Sequence, residues 1–154
     1  MELTVDNKPV FAAGGGRPFK PEQPSVVFVH GAGLDHTIWT LQNRYFAHHG
    51  RNVVAVDLPG HGRSPGPALA SVESLAGWLV RLIDALAAER VALVGHSMGA
   101  LVALEAAARH PGRVWALALL GAGETMRVHP DLMAHARAAD HRAAQLIVDW
   151  GFGR

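Results

Sequence analysis

A chain of 154 residues with 49% apolar and 18% charged side chains has the burial capacity for one core and too little charge to remain disordered. Its 14 Lys and Arg against 13 Asp and Glu leave a net charge of +1, no excess with which to hold a nucleic-acid backbone or an anionic membrane. Cysteine is absent, which removes disulfides, thiolate catalysis and cysteine-bound zinc; the N-terminus lacks a signal-peptide layout and no uncharged apolar run nears the ~20 residues of a membrane span, so a soluble, cytoplasmic protein is the expectation.

In chain order, alternating residues 3–5 and 10–13 flank Asp6-Asn7-Lys8-Pro9, which predicts an N-terminal β-hairpin. Gly14-Gly15-Gly16 with Pro18, Pro21 and Pro24 supports neither helix nor ladder and reads as a loop. Val26-Val27-Phe28-Val29 is a continuous β-branched and aromatic run, the pattern of a strand buried on both faces. It returns at Val53-Val54-Ala55-Val56, at Val91-Ala92-Leu93-Val94 and over residues 114–120.

Helical patterns lie between these runs. Residues 38–49 stop at Gly50, and Leu75, Leu79, Leu82, Ile83 and Leu86 repeat at helical spacing behind Ser71, an N-cap, with Glu73 in the first turn. Residues 98–109 are rich in Ala and Leu and end at His110-Pro111-Gly112. The leucine stripe reads as core packing, with Trp78 and Trp115 at the core margins. Strand and helix in alternation predict an α/β fold, a mostly parallel sheet with an N-terminal hairpin and flanking helices, whose ligands sit beyond the carboxyl ends of the strands. Residues 1–123 are expected to form that core, and 124–154 one or two polar-faced helices over 130–150.

The chemistry should follow the strands. Gly95-His96-Ser97-Met98-Gly99 fits G-x-S-x-G between a buried strand and a helix. There the glycines clear the backbone, the serine oxygen is raised, and the helix N-terminus aims N–H groups at developing negative charge. His30-Gly31-Ala32-Gly33 follows the first run, and its small residues let backbone N–H groups approach a bound oxygen. Asp57-Leu58-Pro59-Gly60-His61-Gly62-Arg63-Ser64 follows the second at the same edge of the sheet.

The order and spacing of these three blocks, with Trp39 after the first, resemble the α/β-hydrolase family over residues 26–121. The resemblance implies Ser97 as nucleophile and the Ala32 and Met98 backbone N–H groups as the oxyanion hole, with Gly31, Gly33, His36 and Trp39 lining the substrate pocket. Serine in place of aspartate separates the chain from similar dehalogenases and epoxide hydrolases and implies attack on a small-molecule acyl substrate: ester, lactone, thioester or carbon–carbon bond. Cofactor-free haloperoxidases and hydroxynitrile lyases share the serine elbow. No cofactor and no metal is implied, since H-E-x-x-H is missing and His135 and His141 stand six positions apart.

In that family the chain order is Ser, then acid, then His, the last two on strands after a helical cap. Only 34 residues follow position 120, without another buried strand, so the expectation is an N-terminal portion lacking both triad partners. His96 adjoins the nucleophile but should point away from it. His30 and His61 read as loop anchors, His129, His135 and His141 as solvated, and Glu124 and Asp140 as weak candidates for the acid. Of the rival classes, a nucleotide-binding domain fails for want of G-x-G-x-x-G or a P-loop. An interaction module, self-associating or pairing with a C-terminal segment through its sixth strand, stays open.

Overall fold

The first strands form where the turn chemistry allows. In the computed structural model, which describes every residue except Pro21, Phe152 and Arg154, β1 (Glu2–Val5) and β2 (Lys8–Ala13) pair antiparallel. Asp6 and Asn7 close them with φ of 53° and 60°, the two positive angles of a type I′ turn. The turn is therefore two residues rather than the expected four, because Asp and Asn accept the left-handed region at low cost. Lys8 and Pro9 continue the strand.

β3 (Ser25–Val29), β4 (Asn52–Val56), β5 (Val91–His96) and β6 (Val114–Leu120) run parallel, in the sheet order β1-β2-β4-β3-β5-β6. Every residue of β3 and β4 is buried. Alternate side chains divide between two apolar layers. Val27, Val29, Val54 and Val56 face one, and Val26, Phe28, Val53 and Ala55 the other.

The first layer is closed by α2 (Val72–Ala85) and α3 (Met98–Arg109). Ser71 caps α2 by accepting from the Ser74 N–H at 3.1 Å, and Leu79, Leu82 and Ile83 are fully buried, each worth ~1.5–3 kcal/mol relative to exposure. The second layer holds Trp39 and Ala47. The helix expected over 38–49 is a 3-10 turn, His36–Trp39, running into α1 (Thr40–His48). The Asp35 carboxylate accepts from the Thr37 N–H at 2.8 Å and so starts the tight turn early.

β6 departs from the expected doubly buried strand. Its register against β5 slips so that Val91 and Ala92 oppose Val114 and Ala116, leaving Trp115 as the extra residue of a bulge. Trp115 is 45% exposed and Leu119 41%, which places Trp115 outside the core margin. β6 stands at one edge of the sheet among the described residues, where a strand presents one row of backbone N–H and C=O groups to a further neighbour.

The contacts divide at residues 122 and 123 into a unit Met1–Ala122 and a smaller unit Gly123–Arg154. The smaller holds α4 (Pro130–Arg137) and α5 (Arg142–Gly151), neither of which has a buried residue. Among the described residues no helix is long and apolar enough to cross a membrane.

The strand order decides where a ligand belongs. From β3 the chain moves outward to β4, then crosses back to place β5 on the other side of β3. The loops after β3 and β5 therefore leave in different directions and open a crevice at the carboxyl ends.

Candidate active site

Ser97 occupies that crevice edge at φ 54° and ψ −120°, backbone angles costing a residue with a β-carbon ~1–3 kcal/mol. Its N–H continues the sheet by donating to the Leu120 carbonyl at 2.9 Å, and its carbonyl starts α3 by accepting from the Ala100 N–H at 2.9 Å. The surroundings hold the turn in this shape. A β-carbon on Gly95 would stand 2.6 Å from the Ala100 Cα, and one on Gly99 would press into the Val29 and His30 carbonyl oxygens. The Ser97 hydroxyl makes no capping bond to α3. The Met98 N–H opens the helix and has no partner one turn back.

The loop after β3 packs directly on this elbow. A β-carbon on Gly31 would lie 3.1 Å from the Ser97 Cβ. His30, fully buried, has its Nδ1 2.8 Å from the Gly31 carbonyl oxygen, and its Nε2 accepts from the Leu58 N–H at 3.0 Å. Burial pushes its ring below the ordinary histidine range. The Leu34 N–H donates to the same Gly31 oxygen at 3.3 Å, and Gly33 has φ 69°, the positive angle a turn of type II needs at its third residue. Ala32 and Gly33 are exposed.

The loop after β4 is tied to the first by one carboxylate. Asp57, fully buried, accepts from the His36 N–H at 2.7 Å, from His36 Nδ1 at 2.9 Å and from the Arg63 N–H at 2.9 Å. Gly62, at φ 52°, leaves room for this; a β-carbon there would collide with the Asp57 carboxylate. His61 Nδ1 bonds the Pro59 carbonyl at 3.0 Å, and the Ser64 hydroxyl accepts from the Phe11 N–H at 3.0 Å, fastening the loop to β2.

The structure thus brings together Ser97, Met98, Gly31, Ala32 and Gly33 at the crevice. His36 instead turns its ring onto Asp57, and Trp39 is buried against Phe28, ring centroids 5.1 Å apart. Asp35, His36 and Asp57 have ligand atoms within 4.8 Å of one another, a spacing a cation could use. The Asp57 oxygens, however, are already occupied by N–H donors, two of them from His36 itself. His96 lies beside the serine with its ring against Gly31 and Gly121. Its Nδ1 is buried without a hydrogen-bond partner. In the smaller unit Asp140 bonds His135 at 2.8 Å rather than the adjacent His141. Its carboxyl is held below the usual range by the Arg142 N–H first and by His135 second.

Residues 24–153 match the family model described as the alpha/beta hydrolase fold. The chain belongs to the alpha/beta hydrolase family. It is 42% identical over 102 residues to the pimeloyl-[acyl-carrier protein] methyl ester esterase of Methylococcus capsulatus, a match covering 63% of this chain and 36% of the relative. It is 33% identical over 120 residues to the (E)-2-((N-methylformamido)methylene)succinate hydrolase of Acinetobacter baylyi, covering 77% and 42%. The solved structure of Est816, described as an N-acyl homoserine lactone degrading enzyme, superposes with a TM-score of 0.71 at 29% identity and covers 89% of this chain and 52% of its own. The chain spans less than half the length of these curated relatives.

Within the family frame, the residue that sequence reasoning left without a role is Asp57. Its signal was available: a carboxylate directly after the apolar run Val53-Val54-Ala55-Val56, at the buried end of that strand.

Proposed function

We propose that this chain carries the nucleophile and the oxyanion hole of a serine-dependent acyl hydrolase acting on a small ester, lactone, thioester or activated carbon–carbon bond. Ser97 Oγ attacks the acyl carbon, its proton passes to a general base, and the negative oxygen formed is held by the N–H groups of Ala32 and Met98. Collapse expels the leaving group with that proton, and water then attacks the acyl-serine carbon to release the acid and restore the hydroxyl. Donors of this kind are each worth ~10²–10³-fold in rate. The observation that carries the reading is Ser97 at φ 54° with its hydroxyl unused by the helix it begins. A structural serine would cap that helix; a strained one left uncapped is arranged for reaction.

The general base is none of His30, His36, His61 and His135. The rings of His30, His36, His61 and His135 are engaged with Gly31 and Leu58, Asp57, Pro59 and Asp140. The hole and binding alone sustain a residual ~10³–10⁴-fold over water when the triad is incomplete, so an external base should expose the activity. The experiment is intact-mass spectrometry after exposure to a fluorophosphonate, with imidazole added as base. One adduct that forms faster with imidazole and is lost in Ser97→Ala is expected. An unmodified chain with imidazole present, or an adduct that persists in Ser97→Ala, refutes the reading.

The exposed apolar side chains of β6 favour a second reading, an interaction module that self-associates strand to strand. It requires a dimer by light scattering, and a monodisperse monomer removes it.

A further inference from the structure

At the amino ends of the parallel strands, opposite the crevice, the chain forms a second depression. Ser25 opens β3, Arg90 directly precedes β5 and Trp115 is the second residue of β6; with Phe19, Glu22 and Glu89 they line a cavity of about 360 Å³. That volume lies within the ~300–1,000 Å³ of small-molecule pockets. β5 runs six residues from this end before it reaches Ser97, which sets the two places ~20 Å apart at ~3.3 Å per residue.

Both walls are held by side chains of the chain itself. The buried Asn52 ties down Lys20 and Gln23, donating from Nδ2 to their carbonyls at 2.6 and 2.9 Å while its Oδ1 accepts from the Lys20 N–H at 2.8 Å. Arg113 ties down the opposite loop, its Nε donating to the Glu89 carbonyl at 2.9 Å and its Nη2 to the Ala88 carbonyl at 3.1 Å. Walls already ordered cost a ligand little entropy.

The aromatic surface comes from the bulge. In an unbroken register Trp115 would oppose Ala92, a residue of the second apolar layer; the slip gives that place to Ala116 and leaves Trp115 45% exposed in the depression. Re-aiming one side chain is what such bulges do. Among the described residues the cation that stands over an aromatic ring is Arg63, 3.9 Å from the centroid of Phe11, so Trp115 keeps its face. The ionisable side chains around it are two carboxylates, Glu22 and Glu89, against one guanidinium, Arg90. Neither carboxylate is paired with a cation among the described residues.

We propose that this depression binds a small organic ammonium ion, with the Trp115 ring taking the cation on its face and Glu22 and Glu89 balancing its charge. The negative face of an aromatic ring attracts such a cation, and the carbon groups around the nitrogen pack on Trp115 and Phe19. One positive charge brings a rim of two carboxylates and one guanidinium to neutrality. The site is separate from the crevice and does not rest on the hydrolase reading.

The test titrates the full chain with choline and, in parallel, with neohexyl alcohol, in which carbon replaces the charged nitrogen, at constant ionic strength. Amide and indole N–H signals are followed by NMR. Expected are saturable choline shifts at the Trp115 indole and the Glu89 amide, no shift at Met98 on the opposite edge, and binding of the alcohol weaker by ~10-fold or more. Trp115→Ala should weaken choline ~5–30-fold, read at Glu89, and Trp115→Phe should keep most of the affinity. The double variant Glu22→Gln, Glu89→Gln should weaken choline and leave the alcohol unchanged. Equal binding of the alcohol, choline shifts spread alike over Trp39, Trp78 and Trp150, or an unchanged choline affinity in Trp115→Ala or in the double variant overturns the proposal. Should Trp115→Ala not fold, the comparison of choline with the alcohol on the wild type decides.

Discussion

Replacing Ser97 with glycine or with alanine removes the hydroxyl in both cases, so the difference between the two variants isolates the backbone. At φ 54° and ψ −120°, alanine retains the clash of its β-carbon with the chain, a strain of ~1–3 kcal/mol that glycine does not carry. The greater freedom of glycine in the unfolded chain offsets ~0.4–1 kcal/mol of this, and the loss of a half-buried methyl about 0.4 kcal/mol more. Glycine at 97 should therefore be the more stable variant by ~1 kcal/mol, or ~2–4 °C in Tm for a chain of this length. Parallel thermal and urea denaturation of Ser97→Gly and Ser97→Ala measures it. Equal stability, or a less stable glycine variant, would refute the claim that the fold holds Ser97 against its backbone preference for the sake of its oxygen.

Gly99→Ala drives a β-carbon into the carbonyl oxygens of Val29 and His30, backbone at the centre of the sheet that cannot yield; a loss of at least ~1–3 kcal/mol is expected, and a wild-type urea midpoint would contradict that close approach. Asp57→Asn turns an acceptor-only group into one that also donates toward the His36 and Arg63 donors, at an expected cost of ~1–3 kcal/mol or more, visible as a lower Tm and a shifted His36 ring signal. Burial holds the folded His30 ring neutral below the ordinary range, whereas the unfolded chain takes up that proton near pH ~6.5. The unfolded state therefore binds more protons as pH falls through that value, and stability should be full above it and decline below it. Urea midpoints between about pH 7.5 and about pH 5.5 should fall in the wild type and fall less in His30→Gln; parallel slopes would remove His30 as the cause.

Local rules made much of this molecule legible before any coordinates. Runs such as Val26-Val27-Phe28-Val29 are too short for a helix and too apolar for a surface, and they became the fully buried strands. Ser71 and the leucine stripe became a capped helix packed on the sheet. The helix expected from Met98 to Arg109 begins and ends at those residues. Where the expectation slipped, a longer-range contact had intervened. The hairpin turn shortened once strand pairing rewarded two left-handed residues. Trp115 left the core through a bulge visible only in the register with β5. The apolar composition of β6 matches that of the buried strands and reports only what a strand can bury against; its place at the sheet edge, the edge through which an interaction module was expected to pair, decides its exposure.

The site divides along the same line. The elbow is a local object: a strand, the five residues from Gly95 to Gly99, three of them small, and a helix start lie within one stretch of chain, so spacing alone marked Ser97 and Met98. The crevice is not local. The sequence by itself determined an α/β chain of alternating buried strands and helices with a serine at one strand end. The tertiary structure alone decided that β3 lies between β4 and β5, which sets the Gly31 loop against that serine. It alone turned His36 onto Asp57 and engaged both nitrogens of His30. The physical reason is that hydrogen-bond partners 21 and 28 positions apart in sequence leave no periodicity to read; only the order of the strands brings them within 3 Å.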